Sequence, residues 1–188
     1  MDRASDGAAS QGHGSSSQVD AMELVRRGCE LLNSGRLDEA LAEFEAAVAA
    51  DPRNAEAQNK LGVVLARQGK LDEARKLFER ALATDPRCAA AMSNLGNTYK
   101  ESGMLDKAVE FYKMALSVDP EYATAHHNLA VAYRQMGKID RAVIHFKQAS
   151  RLQLRRSALQ GETARFGRHL WLLIAGGLIF AYLFIFKK

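Results

Sequence analysis

In 188 residues the chain has only three prolines, two cysteines and one tryptophan. Cys29 and Cys88 lie far apart and match no metal or redox spacing. A disulfide framework needs more cysteines, closer together, in a secreted chain. They read as free thiols in a reducing compartment. The segment Met1 to Asp20 lacks an apolar core, so no secretory leader is expected. Residues 1–19 are rich in Gly, Ser, Ala and Gln and hold too little apolar surface to offset the entropy of ordering, which predicts a disordered tail. No phosphate loop, Ser/His/Asp set or metal-ligand spacing occurs. His13 sits in the polar tail, and His126–His127 is the only paired histidine. The expectation is no catalytic residue, no metal, no cofactor and no enzyme activity.

Charge is not scarce but it is unevenly placed. The net charge is +4, yet residues 1–122 carry 15 Lys/Arg against 20 Asp/Glu, and residues 123–188 carry 11 against 2. No helix-turn-helix, RNA-recognition or zinc motif accompanies the basic end, so nucleic acid is not an expected partner. Basic residues leading into an apolar tail point instead to an anionic membrane surface.

The three prolines are informative through their spacing. Asp51-Pro52, Asp85-Pro86 and Asp119-Pro120 recur every 34 residues. Gly28, Gly62 and Gly96 keep the same step, as do Gly35, Gly69, Gly103 and Gly137. So do Ala40, Ala74, Ala108 and Ala142, the aromatics Phe44, Phe78, Tyr112 and Phe146, and Ala47, Ala81, Ala115 and Ala149. Several series at one period mark an internal repeat. Each unit holds two apolar segments of helical period. The glycine between them suits the left-handed backbone that ends a helix. Acidic residues then open the second helix, as in Leu71-Asp72-Glu73-Ala74. Gly62 and Ala74 let the two helices approach, Phe78 and Leu61 fill the space around that contact, and Asp-Pro stops the second helix. The spacing predicts helices near 20–34, 37–50, 55–68, 71–84, 89–102, 105–118, 123–136 and 139–158.

Leu95-Gly96, Tyr99, Gly103, Ala108, Tyr112, Ala115 and Pro120, all within residues 89–122, resemble the signature of the tetratricopeptide repeat (TPR) family. The resemblance covers four units, 21–54, 55–88, 89–122 and 123–156, within a repeat region 20–156. The fourth departs from the pattern, with Ala130 in place of the first glycine and Leu154 in place of proline. The implied fold is all-α, an α-solenoid of four helix pairs in which stacked neighbours bury one continuous core.

In this family the first helix of each pair lines a concave groove that holds a peptide or partner helix. Carried onto this chain, that pattern implies a peptide-binding groove of Arg26, Asn59, Lys60, Arg67, Ser93, Asn94, Asn97, Lys100, His127, Asn128 and Arg134, with Cys29, Val63 and Val131 beside them. Asparagine amides both donate and accept, so Asn94 and Asn128 could hold a peptide backbone whatever its sequence. Lys60, Arg67, Lys100 and Arg134 favour an acidic ligand, with Glu56 and Glu101 as exceptions. The lysine/asparagine set with which some members clamp chaperone C-termini is not matched, since Val25 and Cys29 occupy the first positions.

A basic segment, 157–168, precedes an unbroken apolar run from Leu170 to Phe186, and Lys187 and Lys188 follow it. A run of this size spans roughly 25 Å as a helix, at the short end of a bilayer crossing. A transmembrane helix is expected over 169–186, flanked by Arg165 and Arg168 on one side and Lys187 and Lys188 on the other. Positive charge stays cytoplasmic, which places the repeats in the cytosol on a single-pass anchor, in a bacterial inner or mitochondrial-type outer membrane. Trp171 and Tyr182 suit interfacial positions, and Gly177 with Ala181 would support only weak self-association.

The expected function is that of a membrane-anchored scaffold or adaptor that binds a protein or peptide. The alternatives are a protein-import receptor or organelle-division adaptor of an outer membrane, and a structural or regulatory subunit of a membrane complex. A basic groove would repel Arg-rich presequences, which counts against the import receptor.

Overall fold

The computed structural model describes residues 12–159, with side chains from Asp20 onward. Its regular elements there are eight helices and no strands. They are α1 (Gly12–Asn33), α2 (Leu37–Ala50), α3 (Ala55–Arg67), α4 (Leu71–Thr84), α5 (Ala89–Glu101), α6 (Leu105–Val118), α7 (Ala123–Gln135) and α8 (residues 139–159). From α2 on, the ends fall within about one residue of the expected positions. α1 differs, because it starts at Gly12, inside the segment expected to be a disordered tail. Extending an existing helix fixes one residue per added hydrogen bond, so even a Ser/Gly-rich stretch can continue it. Residues 1–11 lie outside the described residues. So do the end of the basic segment with Arg165 and Arg168, the expected transmembrane helix 169–186, and Lys187 and Lys188. Among the described residues no helix is long and apolar enough to cross a membrane.

Each helix pair is joined by a turn that the recurring glycine permits. Gly69 has φ +80°, and Gly35, Gly103 and Gly137 fall between +73° and +78°. At the end of α3 the amide of Lys70 donates to Leu65 O at 3.0 Å and that of Gly69 donates to Ala66 O at 3.0 Å. These bonds satisfy carbonyls that the helix leaves open. The Asp-Pro pairs close the links between repeats. Oδ1 of Asp51, Asp85 and Asp119 accepts from the backbone N–H two residues on, at 2.9–3.0 Å.

Within each pair a glycine faces an aromatic ring. A Cβ built on Gly28, Gly62 or Gly96 would lie 2.6 Å from the ring of Phe44, Phe78 or Tyr112 respectively. Those three rings are buried to within 1%. The fourth pair has Ala130 at the glycine position, itself fully buried. Its ring, Phe146, is only partly buried. α5 of the next pair lies beside Phe78, whereas among the described residues no following pair covers Phe146. Phe146 meets the edge of His127 at 5.5 Å, and the Arg134 guanidinium lies 5.9 Å from its centroid.

First helices touch one another (α1 with α3, α3 with α5, α5 with α7), whereas α2, α4 and α6 have no direct contacts among themselves. The first helices therefore form the tighter inner layer and the second helices splay outward, which makes the inner face concave. Each first helix buries three residues against the preceding pair. They are Ala57, Leu61 and Val64 in α3, Ala91, Leu95 and Thr98 in α5, and Ala125, Leu129 and Ala132 in α7. In α1 the same three positions hold Glu23, Arg27 and Glu30, all exposed. That is a polar end cap, as a stack of repeats requires.

The last pair contains a histidine contact. His126 Nε2 lies 3.1 Å from Pro120 O and its Nδ1 lies 3.0 Å from His145 Nδ1. A carbonyl only accepts, so Nε2 of His126 carries the proton and its Nδ1 accepts from His145 Nδ1–H. The rings stack at 5.3 Å, and Tyr133 stacks on the other histidine at 5.8 Å. Burial, then His126, then Lys113 push the His145 pKa below the ordinary imidazole value of 6.5.

Two predictions follow from this packing. Gly62→Ala should destabilise the fold by about 1–3 kcal/mol through overpacking against Phe78. Gly69→Ala, which meets no neighbour within 4 Å, should cost about 1–2 kcal/mol from backbone conformation alone. Urea unfolding followed by helicity would measure both. The depressed His145 pKa also gives a sign for pH dependence. The folded state holds this ring neutral more strongly than the unfolded state does. Its contribution is therefore complete above pH 6.5 and is lost as pH falls through the lower folded value. Hydrogen exchange over 123–159 should quicken between pH 7 and pH 5 relative to 55–122, and His145→Gln should flatten that dependence.

Candidate functional site

The concave layer holds the largest share of the polar side chains that the repeat pattern singled out. Between α3 and α5 it opens into a depression of about 290 Å³ lined by Val63, Ala66, Arg67, Phe78, Asn94, Asn97, Thr98 and Glu101. Apolar atoms form its floor, and amides and two opposite charges form its walls. The volume is close to the lower bound of about 300 Å³ for small-molecule pockets, and the depression is open, which suits a side chain of a longer ligand better than an enclosed substrate.

The amides are oriented by the helices beneath them. Asn94 Nδ2 donates to Asn59 Oδ1 at 2.9 Å, linking α5 to α3. One repeat later Asn128 Nδ2 reaches Ser93 Oγ at 3.5 Å, a longer link of the same kind between α7 and α5. Asn59 is 6% exposed and Ser93 only 1%. Both support the groove from below, whereas Asn94 and Asn128, which are partly exposed, present amide groups to it. Asn97 is positioned from the other side. The Tyr112 hydroxyl donates to Asn97 Oδ1 at 2.7 Å, which leaves the Asn97 NH₂ to point elsewhere. Burial first, and Glu101 second, push the Tyr112 pKa up, so it remains a donor at any ordinary pH. Sequence alone does not reveal this support, because Tyr112 reads as a core ring.

The cations divide into two groups. Lys60 and Lys100 are partly buried, Arg67 and Arg134 are exposed, and none of the four forms an ion pair among the described residues. Arg134 is turned onto Phe146. Arg26 differs, since its guanidinium bonds Glu23 at 2.6 and 2.8 Å and also pairs with Glu30 on the exposed side of α1. Glu23 is correspondingly held below the usual carboxylate range by that hydrogen bond. The residues expected to line the groove thus resolve into a central set, Arg67, Asn94 and Asn97, which lines the depression, with Lys60, Lys100 and Asn128 outside its lining. Asn59 and Ser93 lie beneath it, His127 and Arg134 rest on the partly exposed Phe146, and Arg26 is neutralised locally. Among the described residues no cluster of three or more His, Cys, Asp or Glu could hold a metal ion.

This geometry agrees with the comparisons to known proteins. Tetratricopeptide-repeat family models match residues 25–87, 65–115, 96–137 and 123–154, which together span 25–154 without a gap. No curated protein matches the chain. Among solved structures, a crystal structure of MamA is 26% identical with a TM-score of 0.61, covering 79% of this chain and 88% of that one. A thermophilic TPR protein of Thermus thermophilus is 28% identical with a TM-score of 0.66, covering 70% and 74% respectively. PilF of Pseudomonas aeruginosa is 25% identical with a TM-score of 0.66, covering 73% and 63%. Four overlapping family models, each falling on helix pairs with the glycine–aromatic contact or its Ala130 variant, identify residues 25–154 as tetratricopeptide repeats.

Proposed function

We propose that this chain is a membrane-tethered adaptor whose concave groove holds an acidic segment of a partner protein and that it performs no chemistry of its own. The observation that carries this reading is one open depression lined by Arg67, Asn94 and Asn97, with the amides held by Asn59 and Tyr112. Lys100 follows Asn97 by one turn on α5, and neither cation forms an ion pair among the described residues. Amides fixed from below lose little freedom on binding, which favours affinity. Unpaired cations on a concave face attract an acidic chain and set its register. Glu101 in the same wall disfavours ligands that carry a carboxylate at that one point.

Attachment to a membrane is the second part of the proposal. It is supported by the apolar run Leu170 to Phe186 and by the basic residues on either side. Inserted as a single helix, that run would keep the repeats on the side where Arg165 and Arg168 remain, the cytosolic one. The import-receptor alternative is disfavoured by the same groove cations, which would repel a basic presequence.

Both parts are testable on the full chain. Partner capture in detergent should weaken at least about tenfold, or roughly 1.4 kcal/mol, when Arg67→Ala, Asn94→Ala, Asn97→Ala and Lys100→Ala are combined with helicity unchanged. Equal capture by both forms would move the binding site off the groove. Replacing Leu173 and Leu178 with arginine should shift the protein from the alkali-resistant membrane pellet to the supernatant, because each arginine at a helix centre costs about 2.5–3.5 kcal/mol on insertion scales. Retention in the pellet would end the membrane-spanning reading.

A further inference from the structure

The two ends of the solenoid are built differently. At the first end, Glu23, Arg27 and Glu30 replace the residues that would bury against a preceding repeat. At the other end no such replacement has occurred. In the third pair, Val109 of α6 is covered by α7 and is 8% exposed. Its counterpart one repeat later, Val143 of α8, is 44% exposed, and Ile139, one turn before it, is 54% exposed. Helical geometry puts Ile139, Val143 and Leu154 on one stripe. Leu154 stands where the other repeats have proline, so α8 runs on to residue 159 past the point at which α2, α4 and α6 stop. Leu154 is 71% exposed. Lys147 and Arg151 border that stripe, both exposed. Among the described residues neither meets an acid, whereas Arg155, further round the helix, pairs with Glu121 at 2.7 Å.

The charge around the stripe decides what can cover it. From 123 to 159 the chain has seven Lys/Arg and a single acid, Asp140. A second copy stacked end to end would set Glu23, Arg27 and Glu30 against Ile139 and Val143, burying charges on apolar carbon. Two copies meeting through α8 would oppose Lys147 and Arg151 with themselves. An apolar stripe bordered by long cationic side chains suits an anionic lipid surface. The stripe enters at the level of the headgroups, while lysine and arginine stems lie along it and carry their charges to phosphate.

We propose that the face of α8 that carries Ile139, Val143 and Leu154 lies against an anionic lipid surface, so that the solenoid rests on the membrane by its last helix. This deepens the membrane attachment proposed above and rests on it for proximity to a bilayer. It assigns to α8 a role in orientation that a tail anchor alone does not supply. With α8 lying in the plane of the interface, the concave layer opens sideways along the membrane.

The test is hydrogen exchange on the full chain reconstituted in vesicles of phosphatidylcholine alone, in vesicles that also contain phosphatidylglycerol, and in detergent. Residues 55–122 serve as the internal reference. Exchange over 139–159 should slow several-fold in the anionic vesicles relative to the other two conditions. Lys147→Glu with Arg151→Glu should abolish the protection, and so should Val143→Ser with Leu154→Ser. All four positions are exposed, so the reference exchange should stay unchanged. Full retention on both vesicle types with equal exchange over 139–159 would overturn this inference and leave the anchor standing. Release from both vesicle types would overturn both readings. Protection already present in detergent would mean that protein covers the face, a second copy if it depends on concentration and another segment of the chain if it does not, and would also overturn the inference. Protection that survives the charge reversals would do the same.

Discussion

The close approach of two helices over a residue without a side chain is the constraint on which the rest depends. Where Gly28, Gly62 and Gly96 stand, the aromatic ring of the partner helix occupies the volume of a Cβ. The ring is then wholly buried, the pair is locked at one separation, and the inner face of the first helix is free to display polar groups instead of packing residues. The fourth pair has Ala130 at this position and, among the described residues, no following pair over its ring. Phe146 is partly exposed, and His127 and Arg134 of the groove register lie against it.

The same geometry makes the groove chemically specific near its middle. Repeats two and three carry intact glycine–aromatic contacts, and their first helices are bridged by the Asn94–Asn59 hydrogen bond. The buried Tyr112 hydroxyl, itself a product of the close approach, fixes Asn97. Packing thereby orients the amides, and Arg67 and Lys100 form no ion pair among the described residues. Towards the ends the character changes. Arg26 is absorbed by Glu23 and Glu30, and repeat four gives up polar display for aromatic stacking and a histidine pair.

Much of this was legible in the sequence, because a strict period repeats every packing requirement. Turn glycines, small residues and rings recurring at 34 residues specify helix pairs, and α2 to α8 fall where that period puts them. Less legible was the start of α1, since Gly and Ser disfavour a helix on their own and only propagation from the ordered repeat carries it to Gly12. The groove was legible as a set of positions but not as a set of roles. Asn59 and Ser93 share one register position and Asn94 and Asn128 the next, yet the first two lie beneath the second two, because each first helix overlaps the preceding one on the concave side.

The amino-acid sequence by itself therefore determined the architecture, the number of units, the residues that can face the groove and the concentration of positive charge after residue 122. These follow from period and composition, which act through short-range sterics and need no knowledge of neighbours. Only the tertiary structure decided which polar groups are supports and which are free, that the first end is capped by Glu23, Arg27 and Glu30, and that Val143 is left open where Val109 is covered. Burial and hydrogen-bond partnership depend on which helix comes to lie alongside, and that is settled by the stacking of pairs, not by any one of them.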